Sequence, residues 1–303
     1  MNNIVITGAT SFIGVHLIKE YLKSDFNVIA ITRPNSKNLS RLPKSDSLTI
    51  IEIDMSEIEK ITEKIKLKKA DIFYHLAWNG TRLPYRNDAV IQEKNYYAAV
   101  NAMKSAKLLG CDTFIGSGSQ AEYGKCIGKI SEIHSSKPIN EYGKAKLKAY
   151  ETLKQIAAEN NIKFIWTRIF SVYGIYDYEK TLVMSTFYKM MKNENIQLTR
   201  CEQMWDFIYV EDLARAMYLL ANTSCADGIY NIASGESRRL KEFLIDMKNV
   251  CKSKSKLQFG AIPYNNEMVI SFEPLVDKLK HNTGWECNVK FKEGIKRILE
   301  FMN

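Results

Sequence analysis

Short apolar runs alternate with one-sided apolar segments through the first half of the chain. Ile4-Val5-Ile6 is a continuous run of the kind a strand shows when both of its faces are buried. Phe12, Ile13, Leu17, Ile18, Tyr21 and Leu22 then recur with helical spacing. Further strands are expected at Asn27 to Ile31, Leu48 to Ile53 (ending at Asp54), Asp71 to Leu76, Thr113 to Gly116 and Phe164 to Trp166. Between them, Ile58, Ile61 and Ile65 fall on one helical face. A long helix is expected from about Ala89 to Leu109, with Val90, Ala98, Ala102 and Ala106 available for packing, and another from about Tyr142 to Glu159. Such alternation predicts an α/β fold, a doubly wound parallel sheet covered on both faces. Ligands of these sheets bind outside the carboxyl ends of the strands.

After Arg168 the alternation loosens. A helix near Leu182 to Lys192, a strand at Asp206 to Val210, a helix from about Glu211 to Leu220 and a strand at Gly228 to Ile232 are expected. The tail carries an apolar helix face, Ile295, Ile298 and Leu299. These patterns predict a larger doubly wound domain over 1–168 and, beside it, a smaller carboxyl-terminal α/β domain mainly over 169–303. A segment around 204–221 is expected to return to the first domain, and the cleft between them is the expected site.

With 303 residues the chain can form one large or two medium domains. No run approaches the apolar length of a membrane span, and Met1-Asn2-Asn3 leads straight into a strand, so no signal peptide is expected. Six widely spaced cysteines without a Cys-x-x-Cys pair point to reduced thiols, a cytoplasmic setting and no structural metal. The net charge of +9 is read as solvated lysine faces, as at Lys60, Lys64, Lys66, Lys68 and Lys69. No basic block is interleaved with stacking aromatics, so no nucleic-acid partner is expected.

Two stretches carry candidate chemistry. In Thr7-Gly8-Ala9-Thr10-Ser11-Phe12-Ile13-Gly14, a strand meets a small-residue turn that opens a helix. Free amides and the positive end of the helix dipole make such a turn a phosphate site. Gly8 allows the turn and Gly14 lets the helix lie close; Ser11 stands where a middle glycine is usual, and its hydroxyl can donate to a phosphate. In Tyr142-Gly143-Lys144-Ala145-Lys146, Tyr142 and Lys146 share a helical face. A phenol has a pKa of about 10 and needs a neighbouring positive charge to exchange protons near neutrality. A tyrosine so tuned can protonate a carbonyl oxygen as hydride reaches the carbon. Upstream, Phe114 to Gly124 is a strand ending in Ser117 and Ser119, and Ser119 could hold the substrate oxygen for Tyr142.

The chain resembles an extended short-chain dehydrogenase/reductase of the NAD-dependent epimerase/dehydratase-like group that works on nucleotide-activated sugars. The resemblance rests on the Gly8 to Gly14 turn, His75-Leu76-Ala77, Asn95, Ser119 ahead of Tyr123-Gly124, and Tyr142 with Lys146. It continues through Arg168 to Gly174, Asp206 to Asp212, Tyr230 to Ala233 and Thr283-Gly284-Trp285. It implies a Rossmann fold, a nucleoside-diphosphate sugar as substrate, and a homodimer formed through the long helices. Ser119, Tyr142 and Lys146 become the catalytic residues. The cofactor residues it implies are Gly8, Thr10, Ser11, Phe12, Ile13, Gly14, Arg33, Asp54, Met55, Leu76, Ala77, Trp78, Asn95, Ser117, Tyr142, Lys146, Ile169 and Ser171. Gln120, Glu122, Ser171 and Trp205 are the expected substrate contacts.

Departures from the family pattern narrow the reaction. No acid follows the second strand, in Thr32 to Lys37, and Arg33 is placed for a 2′-phosphate, so NADP(H) is expected over NAD(H). Gln120 and Ala121 replace the Asp-Glu pair that dehydratases of this group carry, which disfavours dehydration. The expected reaction is NADPH-dependent reduction of a nucleoside-diphosphate 4-keto-6-deoxy sugar, in the manner of 4-ketoreductases such as the CDP-abequose and CDP-paratose synthases, which Glu202 to Phe207 resembles. An NAD-dependent 4-epimerase is the alternative enzyme, and a non-catalytic NADP-sensing regulator the alternative without catalysis.

Overall fold

The computed structural model describes residues 2–65, 67, 69–264 and 271–302. Lys66 and Lys68 of the lysine run lie outside the described residues. The amino-terminal half runs β1 (Asn2–Thr7), α1 (Phe12–Tyr21), β2 (Phe26–Thr32), β3 (Leu48–Glu52), α2 (Ile61–Lys64), β4 (Ile72–His75), α3 (Ala89–Leu108), β5 (Thr113–Ser119), β6 (Ile127–Ile130), α4 (Glu141–Glu159) and β7 (Lys163–Ile169). Then come β8 (Ser171–Tyr173), α5 (Leu182–Met191), β9 (Ile196–Leu198), β10 (Met204–Trp205), β11 (Phe207–Tyr209), α6 (Val210–Asn222), β12 (Gly228–Ile232) and β13 (Arg238–Arg239). The chain continues through α7 (Leu240–Val250), β14 (Leu257–Phe259), β15 (Ser271–Pro274), α8 (Asp277–Thr283) and α9 (Phe291–Met302).

Seven parallel strands form the main sheet in the order β12-β7-β5-β4-β1-β2-β3. The chain winds outward from β1 in both directions, so β1 and β4 flank the point where the order reverses. That is the Rossmann arrangement, and it opens a crevice at the carboxyl ends of those two strands. The apolar runs become strands because both sheet faces are covered. Ile4 and Ile6 join a core with α1 and α6 residues, while Val5 points into the opposite core with Ala99, Ala102, Ala106, Ala149 and Leu153 of α3 and α4. A third core joins α5, α7 and α9 beyond the sheet, with Ile295 and Ile298 fully enclosed.

Two segments depart from the pattern read along the chain. Ile58, Ile61 and Ile65 are all buried, but on a 3₁₀ stretch (Met55–Lys60) and the single turn α2, because Glu57 leaves helical geometry (φ −123°, ψ 22°). The seventh strand, β12, comes from beyond residue 168 and pairs with β7, and α6 of the segment around 204–221 packs on α1. The sheet itself is therefore completed by the later half of the chain.

Candidate active site

The turn after β1 is shaped by two glycines. Gly8 has a φ of +68°, which favours glycine, and a Cβ there would lie 2.8 Å from the Ala77 amide nitrogen. A Cβ at Gly14 would collide with the Gly8 carbonyl, so helix and turn touch backbone to backbone. Ser11 caps α1 by accepting from the Gly14 amide at 3.1 Å. Its own hydroxyl proton is thereby left to donate outward. Thr10 bonds Ser36 at 3.0 Å, tying this turn to the segment after β2. Arg33 is exposed just beyond β2. Asp54 is exposed and caps the next turn, and its hydrogen bonds from Ser56 hold its pKa below the usual carboxylate value. Glycines that a Cβ would overfill, free first-turn amides and an outward hydroxyl together fit a dinucleotide pyrophosphate.

Thr7 closes the crevice floor. Its hydroxyl lies 3.1 Å from His75 Nδ1 and accepts from the amides of Leu76 and Ala77 at 3.2 and 3.4 Å. Burial, and then Lys146, push His75 down to about 3, so the imidazole is neutral. Asn95, expected at the cofactor, spends its amide on the loop instead. It accepts from the Asn79 amide at 2.9 Å and donates to the Asn79 carbonyl at 2.7 Å. Asn95 therefore holds the loop after β4 in place at the rim of the crevice.

Tyr142, Lys146 and Ser119 converge at the carboxyl end of β5. Asn140 caps α4 through the Gly143 amide at 2.8 Å, and the helix then seats tightly. A Cβ on Gly143 would lie 2.5 Å from the Ala121 carbonyl, so only glycine lets Tyr142 reach this depth. Lys146 is 2% exposed, and its Nζ donates to the Ser117 carbonyl at 2.5 Å. The Trp78 ring covers the same Nζ at 3.5 Å from its centroid. Burial, partly opposed by Glu122, brings Lys146 down to about 7. Burial raises the Tyr142 phenol, whereas the Ser119 hydroxyl and the Arg86 guanidinium pull it back down. Arg86, which the sequence reading did not single out, lies 4.7 Å over the Tyr142 ring.

Glu122 is reassigned. It is fully enclosed, and its carboxylate accepts from the Ser119 amide at 2.7 Å, from Trp166 Nε1 at 3.1 Å and from Arg168 Nε at 2.8 Å. No edge of it is left for a substrate. It anchors the Ser119 backbone from behind. Gly116 and Gly118 make room for this arrangement, since a Cβ on either would strike the Trp166 ring. Gln120, which follows Ser119, has an Oε1 that is buried without a protein partner among the described residues. Trp205 stacks on Phe272 at 5.0 Å, which occupies one ring face. Ser171 is half-buried on β8, paired with Phe207, and Ile169 ends β7 beside Ser119.

A dinucleotide turn at the reversal point of a parallel sheet, opposite a phenol and an ammonium one helical turn apart, marks a nicotinamide-dependent short-chain dehydrogenase/reductase. The chain matches the model of the NAD dependent epimerase/dehydratase family over residues 4–233. It belongs to that family, in the extended branch, and is an enzyme of that class. It is 25% identical to CDP-abequose synthase of Salmonella muenchen, covering 98% of this chain and 96% of the relative. It is 26% identical to dTDP-4-dehydro-6-deoxyglucose reductase of Escherichia coli, covering 99% and 97%. Among solved structures it superposes on a Thermotoga maritima UDP-glucose 4-epimerase with a TM-score of 0.87 and 22% identity, covering 99% and 98%. Among the described residues no helix is long and apolar enough to cross a membrane.

Proposed function

We propose that the chain is an NADPH-dependent reductase of a nucleoside-diphosphate 4-keto-6-deoxy sugar. The observation that carries this reading is the convergence of Ser119, Tyr142 and Lys146 beside the dinucleotide turn. The bound nicotinamide supplies a hydride for the sugar C4. Tyr142 gives its Oη proton to the oxygen on that carbon, and the Ser119 hydroxyl orients both partners. Lys146, enclosed by Trp78 and the Ser117 carbonyl, restores a proton to the phenol region and holds the cofactor ribose. Two features favour net reduction. No acid follows β2 while Arg33 does, which suits a 2′-phosphate and an exchangeable cofactor. The carboxylate bonded to the Ser119 amide, that of Glu122, is committed inward, away from elimination chemistry. The names of the two relatives above agree with this reading.

The same proposal places the nucleotide sugar against Gln120 and Ser171, and pairs two copies of the chain through α3 and α4. Val90, Tyr97 and Leu108 are exposed along one face of α3. The test is NADPH oxidation against 4-keto deoxyhexoses carried on CDP, GDP, dTDP and UDP. Tyr142→Phe should lower kcat by roughly 10²- to 10⁴-fold while cofactor binding survives. Wild-type turnover by that variant refutes the assignment. Tightly held NAD and interconversion of two C4 epimers without added reductant would establish the epimerase instead.

A further inference from the structure

Arg86 sits where the proposed chemistry would feel it, on the short 3₁₀ turn Tyr85–Asn87 ahead of α3. Its guanidinium carbon lies 4.7 Å from the Tyr142 ring centroid. Among the described residues, its side chain makes one hydrogen bond, from Nη1 to the Thr81 carbonyl at 3.4 Å. No carboxylate is paired with it there. It is half-buried, so solvent screens its field only in part. A guanidinium with no counter-ion among the described residues, held against an aromatic ring in a cleft, is poorly explained as a packing element.

The groups facing Tyr142 can be weighed together. From α4, the Lys146 Nζ lies 5.8 Å from the phenol ring. From β5, Ser119 offers a hydroxyl but no charge. From the turn after β5, Glu122 opposes the phenolate, though Arg168 largely neutralises it. From the loop after β4, the Trp78 ring contributes an edge at 6.2 Å. From the turn ahead of α3 comes Arg86. Of the two cations, Lys146 is buried, wrapped by Trp78 and titrates close to neutrality, so its charge comes and goes with pH. Burial lowers the Arg86 pKa as well, but from a value far enough above neutrality for its charge to persist.

We propose that Arg86 is a positioning residue for the catalytic phenol, supplying the permanent positive charge that stabilises the Tyr142 phenolate left after proton transfer. This rests on the reductase reading, in which the proton moves from Tyr142 Oη to the sugar oxygen. As that proton leaves, negative charge grows on the phenol and is shared with the guanidinium across the ring. Lys146 and Arg86 then divide the work: the ammonium exchanges protons and the guanidinium holds charge.

The test uses Arg86→Met, Arg86→Lys and Tyr142→Phe in the full chain with NADPH bound. The Tyr142 ring is followed by NMR with ¹³Cζ-labelled tyrosine, its resonance assigned by its loss in Tyr142→Phe. Arg86→Met should move the Tyr142 titration upward by about one pH unit, and Arg86→Lys should restore most of that shift. The alkaline limb of kcat should move with it, and the kcat plateau should fall several-fold as the acid weakens. A Tyr142 titration unchanged in Arg86→Met overturns the proposal, as does a wild-type phenol that never titrates below alkaline unfolding. A rise in KM for the ketone with kcat and the pH limb unchanged would make Arg86 a substrate contact and also overturn it. The titration needs no ketone. If no keto sugar oxidises NADPH but the resonance still shifts, the reductase reading fails and the coupling of Arg86 to Tyr142 stands.

Discussion

The inward-facing Glu122 makes the most exacting prediction about what holds the site together. Its carboxylate and the Arg168 guanidinium form an ion pair at 2.8 Å with side-chain exposures of 0% and 2%. Arg168 also donates to Ser136 at 2.7 Å, while its Nη1 is buried without a partner among the described residues. Glu122→Gln keeps an acceptor for the Ser119 amide but presents an NH₂ group toward Arg168 Nε–H, donor against donor. A buried guanidinium then loses its counter-charge, which costs about 3–5 kcal/mol. Arg168→Met strands the carboxylate instead and should cost about as much. The double variant removes both charges, so its loss should be well below the sum of the two, with a coupling of about 1–3 kcal/mol. Urea unfolding of the four proteins measures the cycle, and kcat of each reports how far Ser119 has drifted. Single variants that each lose less than about 1 kcal/mol, or a double variant equal to the sum, would refute this account of Glu122.

Arg33→Ala should raise the KM for NADPH by roughly 10- to 100-fold, the worth of a charge-assisted hydrogen bond of about 1.5–3 kcal/mol, and leave that for NADH nearly unchanged; parallel steady-state assays with the two cofactors check it. Lys146→Met should abolish turnover yet stabilise the fold at neutral pH, because burial disfavours the ammonium. Its pH signature follows from a pKa of about 7 in the folded chain against the ordinary lysine value when unfolded. Between those values the unfolded chain binds more protons, so wild-type stability gains a rising contribution with pH. The advantage of Lys146→Met should therefore shrink from pH 7 toward pH 10 in urea titrations, and an advantage that grows would contradict the burial of Lys146. Gly143→Ala should lower kcat, because a Cβ meeting the Ala121 carbonyl lifts Tyr142 away from Ser119; a variant with wild-type kcat would show that the α4 seat has slack.

The order of strands and helices was legible in the chain because apolar period is local. Ile4-Val5-Ile6 can be buried on both faces only in a covered sheet, and Gly8 with Gly14 marks a turn that no larger residue could make. Tyr142 and Lys146 needed only helical geometry to be placed together. What tertiary structure decided was direction. Nothing local says that Glu122, three residues after Ser119, turns inward to Arg168 from β7, or that Asn95 serves the loop after β4. Arg86 reaches Tyr142 from 56 positions away in sequence, through a turn that Pro84 marks locally but whose partner it does not name. Likewise β12 joins a sheet begun more than 200 residues earlier, because an edge strand is chosen by its partner's free hydrogen bonds and not by its own pattern. Periodicity selects which face of an element is buried; the partner supplied by distant chain selects what each polar group on that element will meet.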